Sequence, residues 1–159
     1  MTENQTKINI LVVSLNDKFC KNVATRLADK LDMFVADCQQ MIIYELTNPK
    51  QVLEKCGFEY LLKRERSVMK HCSEFYNTVM SIDFELFKEF YEHFDKSIIV
   101  YLRLPEEKTS KVANKIDYEV RDNLLMQKSH IVVELDKCLV IQSVKNIIAE
   151  LGDFYENCW

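Results

Sequence analysis

Short apolar segments alternate along the chain with longer segments in which apolar residues recur at helical spacing. Short β-branched runs such as INILVV are typical of strands buried on both faces, as in a parallel sheet. Between the runs, apolar side chains such as Val23, Leu27 and Leu31 form a single helical stripe. The pattern predicts an α/β fold in three layers, a five-stranded parallel sheet with helices on both faces. The predicted strands are residues 8–13, 33–36, 78–82, 97–104 and 131–135.

The same periodicity predicts the extent of the helices. After the second strand we expect a helical hairpin broken at Asn48 and Pro49, because the residue before a proline is disfavoured in a helix. Apolar residues recur at every fourth position from Val112 to Leu124, which predicts one long helix that begins at Glu106. The helices predicted after the second strand are residues 39–46, 50–72, 84–94, 106–124 and 140–151.

Length and net charge limit the classes of protein to which this chain can belong. The chain has 159 residues, 48% of them apolar, and a net charge of −4. We expect a single domain over residues 1–159, with a core at about 8–151 and short N- and C-terminal tails. The acidic balance argues against a nucleic-acid partner, and no apolar run approaches the ~18 residues of a membrane span. With an N-terminus unlike a signal peptide, the sequence predicts a cytoplasmic protein without nucleic-acid or membrane partners.

Cysteine, histidine and glycine narrow the chemistry further. Six cysteines and three histidines are scattered without the close spacing of a zinc site, so we expect free thiols and no metal. The only glycines are Gly57 and Gly152. Loops that cradle phosphate use glycine because the backbone must approach the anion closely. This chain has little glycine for such a loop.

Four segments nevertheless follow one another in a recognisable order. They are INILVVSLNDKFCKNVATRLADKL, GFEYLLKRERSVM, SIIVYLRLPEE and VRDNLLMQKSHIVVELD. Together they resemble shikimate kinase, a P-loop small-molecule kinase, over about residues 8–151. The resemblance implies a P-loop-kinase-like fold. In that family a loop Gly-x-x-x-x-Gly-Lys-Ser/Thr surrounds the phosphates of ATP and helps to hold Mg²⁺.

The loop residues of this chain depart from the family pattern. The resemblance places Ser14 and Phe19 at the two glycines, Cys20 at the lysine and Lys21 at the hydroxyl residue. The loop therefore lacks the close backbone approach and the metal-binding hydroxyl of the family. We expect it to bind neither ATP nor Mg²⁺, and we expect no cofactor at all.

Asp17 points in the same direction. A carboxylate at a helix N-terminus satisfies the free N–H groups and repels an arriving phosphate. The sequence thus predicts an ordinary helix start capped by Asp17 or Asn16. The alternative is an altered anion site for ATP and Mg²⁺, formed by Lys18 and Lys21.

The substrate-binding motifs of the family are also incomplete. Asp37 lies between the positions of two family aspartates, and a one-residue shift would turn it to the opposite face of the strand. The family's substrate arginine falls on Leu62, whereas Glu65 and Arg121 occupy family positions. We expect a vestigial substrate cleft at Asp37, Glu65 and Arg121, with an ion pair between the last two. Alternatively, Glu65 reaches solvent.

Three functional hypotheses follow. The first is a degenerate shikimate-kinase-like scaffold without catalytic residues, in which Phe19 and Phe84 fill the old cleft. Its partner would be an unknown protein or a second copy, contacted by the aromatic residues of the helix at 84–94, although a thick core also explains those residues. The second is a small-molecule kinase that uses Lys18 and Lys21. The third is an anion- or carboxylate-binding module that uses Asp37 and Arg121.

Overall fold

A computed structural model describes residues 8–157, and the side chains of residues 8–154. Five strands form one parallel sheet in the order β2-β3-β1-β4-β5, with β1 in the centre. The first and second strands in the chain are not adjacent, because β3 lies between them. The strands are β1 (Ile10–Ser14), β2 (Phe34–Asp37), β3 (Thr78–Ile82), β4 (Ile98–Arg103) and β5 (Ile131–Glu134).

Seven α-helices in the described range connect and flank the strands. Two short 3₁₀ turns, Tyr91–Phe94 and Glu106–Lys108, complete the regular structure. The α-helices are α1 (Asp17–Leu31), α2 (Cys38–Leu46), α3 (Pro49–Cys56), α4 (Phe58–Ser73), α5 (Phe84–Phe90), α6 (Lys115–Lys128) and α7 (Val140–Asn157).

The sheet separates two apolar clusters. On one face, α1 and α7 pack together over β-strand residues such as Val12 and Val100. On the other face, α2, α4 and α5 cover residues such as Leu11 and Met80. This arrangement confirms the predicted α/β architecture, a five-stranded parallel sheet with helices on both faces. Strands buried on both sides explain why each strand reads as a continuous apolar run.

Short polar side chains begin most of the helices. The N-cap residue accepts a hydrogen bond from the backbone N–H three positions later, which satisfies one of the free donors of the first turn. Three of these caps, at α1, α2 and α5, follow strands that end at the same edge of the sheet. The capping residues are Asn16, Asp37, Asn48, Asp83 and Asn114.

Two helix predictions were wrong. The segment 50–72 is split into α3 and α4 at Gly57, whose φ of 88° leaves the helical range. The predicted helix from residue 106 is interrupted, because after the 3₁₀ turn the chain stays non-helical until α6 begins at Lys115. The apolar repeat through Ile116 and Val120 lies on an exposed face of α6 rather than in the core. Helix α7 also extends beyond residue 151.

The aromatic residues after β3 form core and not a contact surface. Phe87, Phe90 and Phe94 are at most 1% exposed, so the thick-core explanation is confirmed and the candidate aromatic contact patch is wrong. Near the C-terminus, Phe154 packs partly buried against the core. The remaining aromatic side chains of the C-terminal tail lie outside the described residues.

A buried polar network joins β4 to α6. The Tyr101 hydroxyl donates to Asp122 Oδ1 at 2.6 Å, and Arg103 binds both oxygens of the same carboxylate at 3.0 Å. Arg103 also contacts Glu134 on β5 at 2.6 Å. Burial and the Asp122 carboxylate raise the pKa of Tyr101, so the phenol stays protonated and donates. Every polar group that the network buries has a partner.

The described residues also bear on three broader expectations. Five cysteines in this range are free thiols, and the sixth, Cys158, lies outside it. The range holds no cluster of three side chains suited to a metal ion. None of its helices combines the length and apolar character needed to span a bilayer.

Candidate functional site

A cleft opens at the carboxyl edge of the sheet, where β1, β2 and β3 end. Ligands of open parallel sheets commonly bind at this edge, outside the ends of the strands. The cleft has a volume of about 530 Å³, and most of its lining residues have polar or charged side chains. Its walls come from the loop before α1, the ends of β2 and β3 and the segment after β4. The lining residues are Asn16, Asp17, Lys18, Cys20, Lys21, Asp37, Gln39, Ser81, Ile82, Asp83, Ser110 and Lys111.

The loop between β1 and α1 uses its polar groups internally. Asn16 Oδ1 accepts the Phe19 N–H at 3.1 Å, and the buried Ser14 hydroxyl donates to Leu102 O at 3.1 Å. The Cys20 thiol donates to Val12 O at 3.2 Å, and burial raises its pKa. Asn16 is therefore the cap, as one of the two sequence alternatives predicted. A neutral, buried thiol stands where the resemblance places the phosphate-binding lysine.

Two hydrogen bonds and an ion pair join the segment after β4 to this loop. Leu15 O accepts the Ser110 N–H at 2.7 Å, and Asn16 donates its side-chain amide to Lys108 O at 2.9 Å. Lys111 Nζ lies 3.1 Å from Asp17 Oδ2. The positive end of α1 thus faces the Asp17 carboxylate, and that carboxylate already has a cation partner.

Asp37 forms one wall of the cleft. Its carboxylate accepts the Ser81 hydroxyl at 2.6 Å and the Gln40 N–H at 3.0 Å, and it pairs with Lys21 at 3.5 Å. Asp37 thus lies in the cleft, where the sequence analysis expected it. Asp37 is the last residue of β2 and also the N-cap of α2, so the chain leaves regular strand geometry there.

Asp83 is one of several cleft residues that the sequence analysis did not identify as functional. It caps α5 through the Leu86 N–H at 2.8 Å, and it forms no ion pair with any described residue. Burial raises its pKa, and the nearby Asp17 and Asp37 raise it further, while Lys111 opposes them. A polar residue directly after a buried strand and before a helix was the available signal.

The expected pair between Glu65 and Arg121 does not form. Arg121 contacts Asp117 at 3.0 Å and Glu85 at 3.3 Å, and its guanidinium lies 4.7 Å from the centre of the Phe84 ring. Glu65 is half-buried, and burial followed by the charges of Asp83 and Glu89 raises its pKa. The structure therefore separates Arg121 from Glu65 and satisfies the arginine locally. Arg121 and Asp83 nevertheless both line a small pocket of about 30 Å³ beside the cleft.

The expectation of a filled cleft was also wrong. Phe19 is 4% exposed and points into the apolar cluster beneath α1, whereas Phe84 is 7% exposed and belongs to the opposite cluster. Neither ring is part of the cleft lining. The loop departs from the pattern of the family that it resembles, and the space beside it is open.

The charges of the cleft are unevenly compensated. Two of its three aspartates, Asp17 and Asp37, pair with lysines, and Asp83 does not. Lys18 is exposed at the entrance. The deeper surface presents carboxylate oxygens and the Ser81 hydroxyl, groups that accept hydrogen bonds from hydroxyl or ammonium donors. Such a surface suits a neutral or cationic polar molecule better than a polyphosphate.

No protein-family model matches the chain, and no curated protein matches it. Several solved structures, by contrast, are similar to it. The structure is similar to the shikimate kinase of Aquifex aeolicus, with a TM-score of 0.71 and 21% identity over 91% of this chain and 96% of that one.

Other kinases show the same likeness. A shikimate kinase of Acinetobacter baumannii, solved in complex with shikimate, gives a TM-score of 0.70 and 18% identity over 94% and 95% of the two chains. Dephospho-CoA kinase from Campylobacter jejuni gives 0.53 and 9% identity over 95% and 98%. The chain therefore has a P-loop kinase fold of the shikimate-kinase-like type.

Proposed function

We propose that this protein binds a small polar molecule in the open cleft and does not transfer phosphate. The observation that carries the proposal is the contrast within the cleft. The end of α1 is occupied by the protein's own Asn16 and Asp17, whereas Asp83 lies in the same open space without a cation partner.

The loop supports the absence of phosphoryl transfer. Such transfer depends on a metal ion and on positioned cations that act together on the phosphates. Here Asp17 adds negative charge at the helix N-terminus, and Lys111 is already paired with it. Cys20 supplies no charge, because its thiol is buried and remains protonated. An incoming polyphosphate would have to displace these contacts.

The wall that carries Asp37 and Asp83, opposite the loop before α1, indicates the class of ligand. Asp37 and Asp83 offer carboxylate oxygens about a polar space that holds a molecule of sugar size. Arg121, the residue that the resemblance assigns to a substrate carboxylate, is held by Glu85 and Asp117. We therefore expect a polyhydroxylated molecule that is neutral or carries an amine, and weaker binding of carboxylates such as shikimate.

Calorimetric titrations with glucosamine, glucose and shikimate at millimolar concentrations test this function. We expect saturable binding of glucosamine, weaker binding of glucose and still weaker binding of shikimate. Asp83→Asn should weaken glucosamine binding about tenfold or more, because it removes a charge-assisted hydrogen bond. Asp29→Asn is the matched control, since Asp29 is exposed and lies near the other end of α1. Equal binding by wild type and Asp83→Asn, or no binding of either sugar, contradicts the proposal.

A small-molecule kinase is the second candidate. Three lysines, Lys18, Lys21 and Lys111, line the cleft, and the similar solved structures include several kinases. ATP turnover that is lost in Lys21→Ala would favour this candidate. The scaffold role expected from the sequence stays a prediction, now without the aromatic contact patch.

A further inference from the structure

A second pocket lies between α2 and α4 and shares no lining residue with the cleft described above. It has a volume of about 240 Å³, and all of its lining residues belong to these two helices, which pack against each other. On α2 they are Met41 and Glu45, and on α4 they recur at every third or fourth position from Arg64 to Cys72. Residues at these spacings share one face of a helix, so the pocket forms where two helix faces meet.

The lining of this pocket has an apolar part and a polar part. Met41, Val68 and Cys72 belong to the apolar cluster on this side of the sheet, Cys72 as a buried residue and the other two as partly buried ones. Sites for small molecules typically combine such an apolar surface with a few polar groups that fix the orientation of the ligand. The polar lining residues are Glu45, Arg64, Ser67 and His71.

Glu45 brings an uncompensated negative charge to the pocket. It is exposed and lies in the last turn of α2, which contains no basic residue. The C-terminal end of a helix carries partial negative charge on its free carbonyl groups, so a carboxylate there is unfavourable and a cation is favourable. Glu45 forms no ion pair with any described residue. The end of α2 and its carboxylate are therefore suited to an ammonium group of a ligand.

Arg64 brings a positive charge to the pocket from the other helix. Its Nη1 donates to the Tyr60 hydroxyl at 3.1 Å, and its Cζ lies 5.9 Å from the centre of that ring. Within the described part of the chain, this guanidinium makes no other hydrogen bond and no ion pair. The remaining N–H donors of its planar fork suit a carboxylate. Because Glu45 and Arg64 line one pocket without pairing with each other, both charges are available to a ligand.

We propose that this pocket binds a free α-amino acid with an apolar side chain of about the size of leucine or methionine. The ammonium group lies at Glu45, the carboxylate at Arg64, and the apolar side chain against Met41 and Val68. A water molecule takes up about 30 Å³ in the liquid, so the pocket of about 240 Å³ holds about eight atoms of that size. That space suits an amino acid and leaves no room for a nucleotide.

Calorimetric titration of the full-length protein with L-leucine and L-methionine at millimolar concentrations tests the proposal. We expect saturable binding of both. The analogue 4-methylpentanoate lacks the ammonium group of leucine, and 3-methylbutylamine lacks its carboxylate. Each should bind about tenfold more weakly than leucine or weaker still, because each leaves one charge of the pocket uncompensated. No saturable heat with either amino acid, or an analogue that binds as tightly as leucine, would overturn the proposal.

Variants test whether leucine binds in this pocket. Glu45→Gln and Arg64→Gln should each weaken leucine binding about tenfold or more, because each removes a charge-assisted hydrogen bond. Their matched controls are Glu54→Gln and Lys63→Gln, which remove the same charges from exposed positions outside the lining and should bind leucine as wild type does. If Arg64→Gln does not fold, Arg64→Lys retains the charge without the planar fork and should also weaken binding.

A further variant separates this pocket from the cleft. Asp83→Asn changes the cleft and should leave leucine binding unchanged, because Asp83 does not line the pocket between α2 and α4. A failure of glucosamine to bind in the cleft therefore has no bearing on leucine binding here. Leucine binding that is unchanged in Glu45→Gln and Arg64→Gln, or that is lost in Asp83→Asn, would contradict the assignment of this pocket.

Discussion

Two carboxylates, the buried Asp122 and the half-buried Asp83, show opposite ways in which this fold treats negative charge. Asp122 is 6% exposed and accepts hydrogen bonds from Tyr101 and, through both oxygens, from Arg103. Asp83 caps a helix but forms no ion pair with any described residue, and its pKa is raised even though the charge of Lys111 acts against the rise. A charge that is paired and hydrogen-bonded holds β4 and α6 together, whereas an uncompensated charge beside a cleft can be satisfied by a ligand.

The same contrast in charge compensation distinguishes the two walls of the cleft. The wall at α1 is satisfied by its own side chains, and the wall at β3 is not. Binding energy for a ligand comes from groups that the protein leaves incompletely satisfied. Residues satisfied within the protein contribute to stability, and the remaining residues mark the site.

Removal of Asp122 should have the largest effect. Asp122→Ala leaves the Tyr101 hydroxyl and part of the Arg103 guanidinium without an acceptor, and we expect a loss of about 3–5 kcal/mol in the free energy of unfolding. Urea denaturation measures it. Glu134→Gln is the control, because the exposed pair of Glu134 with the same arginine should contribute less than about 1 kcal/mol. Equal losses in the two variants would remove the contrast between Asp122 and Asp83.

Substitutions of Asp83 should have a smaller effect that depends on pH. Asp83→Asn retains a capping side chain and removes the half-buried charge, so we expect a variant at least as stable as wild type at pH 7. Asp83→Ala also loses the cap on Leu86 and should be about 1 kcal/mol less stable than Asp83→Asn. The free energy of unfolding from urea denaturation at pH 4 to 8 measures both.

The direction in which stability changes with pH follows from the raised pKa of Asp83. Between the ordinary carboxyl pKa of the unfolded chain and the higher pKa of the folded state, the folded protein binds more protons. The contribution of Asp83 to stability therefore falls as pH rises through this interval and stays lost above it. The difference in stability between Asp83→Asn and wild type should grow with pH. A constant difference would show that the carboxylate of Asp83 is compensated in the folded protein.

The smallest effect on the free energy of unfolding is expected from the ion pair between Lys111 and Asp17. The Lys111 side chain is 76% exposed, and exposed pairs contribute less than about 1 kcal/mol. Lys111→Ala should therefore change the free energy of unfolding by less than that amount, and 0.5 M NaCl should reduce the difference further. A loss of stability comparable to that of Asp122→Ala would show that this ion pair stabilises the fold as strongly as the buried network of Asp122.

Much of the sheet was predictable, because strands buried on both faces leave a direct trace in the sequence. The bounds of β3 were predicted without error. The helices around residues 57 and 109–114 were not. Helical spacing of apolar residues continued through Gly57, whose positive φ breaks the helix. In α6 the apolar repeat is exposed, while the polar Asp122 is buried by its pairing with Arg103 on another element.

The site was predictable only in part, for a related reason. The departure of the loop from the pattern of the family that it resembles could be read directly from Ser14, Phe19 and Cys20. The partners of Arg121 and the role of Asp83 depend on contacts between elements distant in sequence, and local pattern carries no record of them. The filled cleft was inferred from side-chain size, but the rings of Phe19 and Phe84 turn into the two apolar clusters.

Calorimetric titration of the purified protein with Mg·ATP at low millimolar concentrations tests the central claim most directly. A shikimate kinase that binds nucleotide serves as the positive control. Because the wall at α1 is occupied by Asn16, Asp17 and Lys111, we predict no saturable heat. Saturable binding in the micromolar range, lost in Lys21→Ala, would contradict the account and would show that the lysines of the cleft form a working phosphate site.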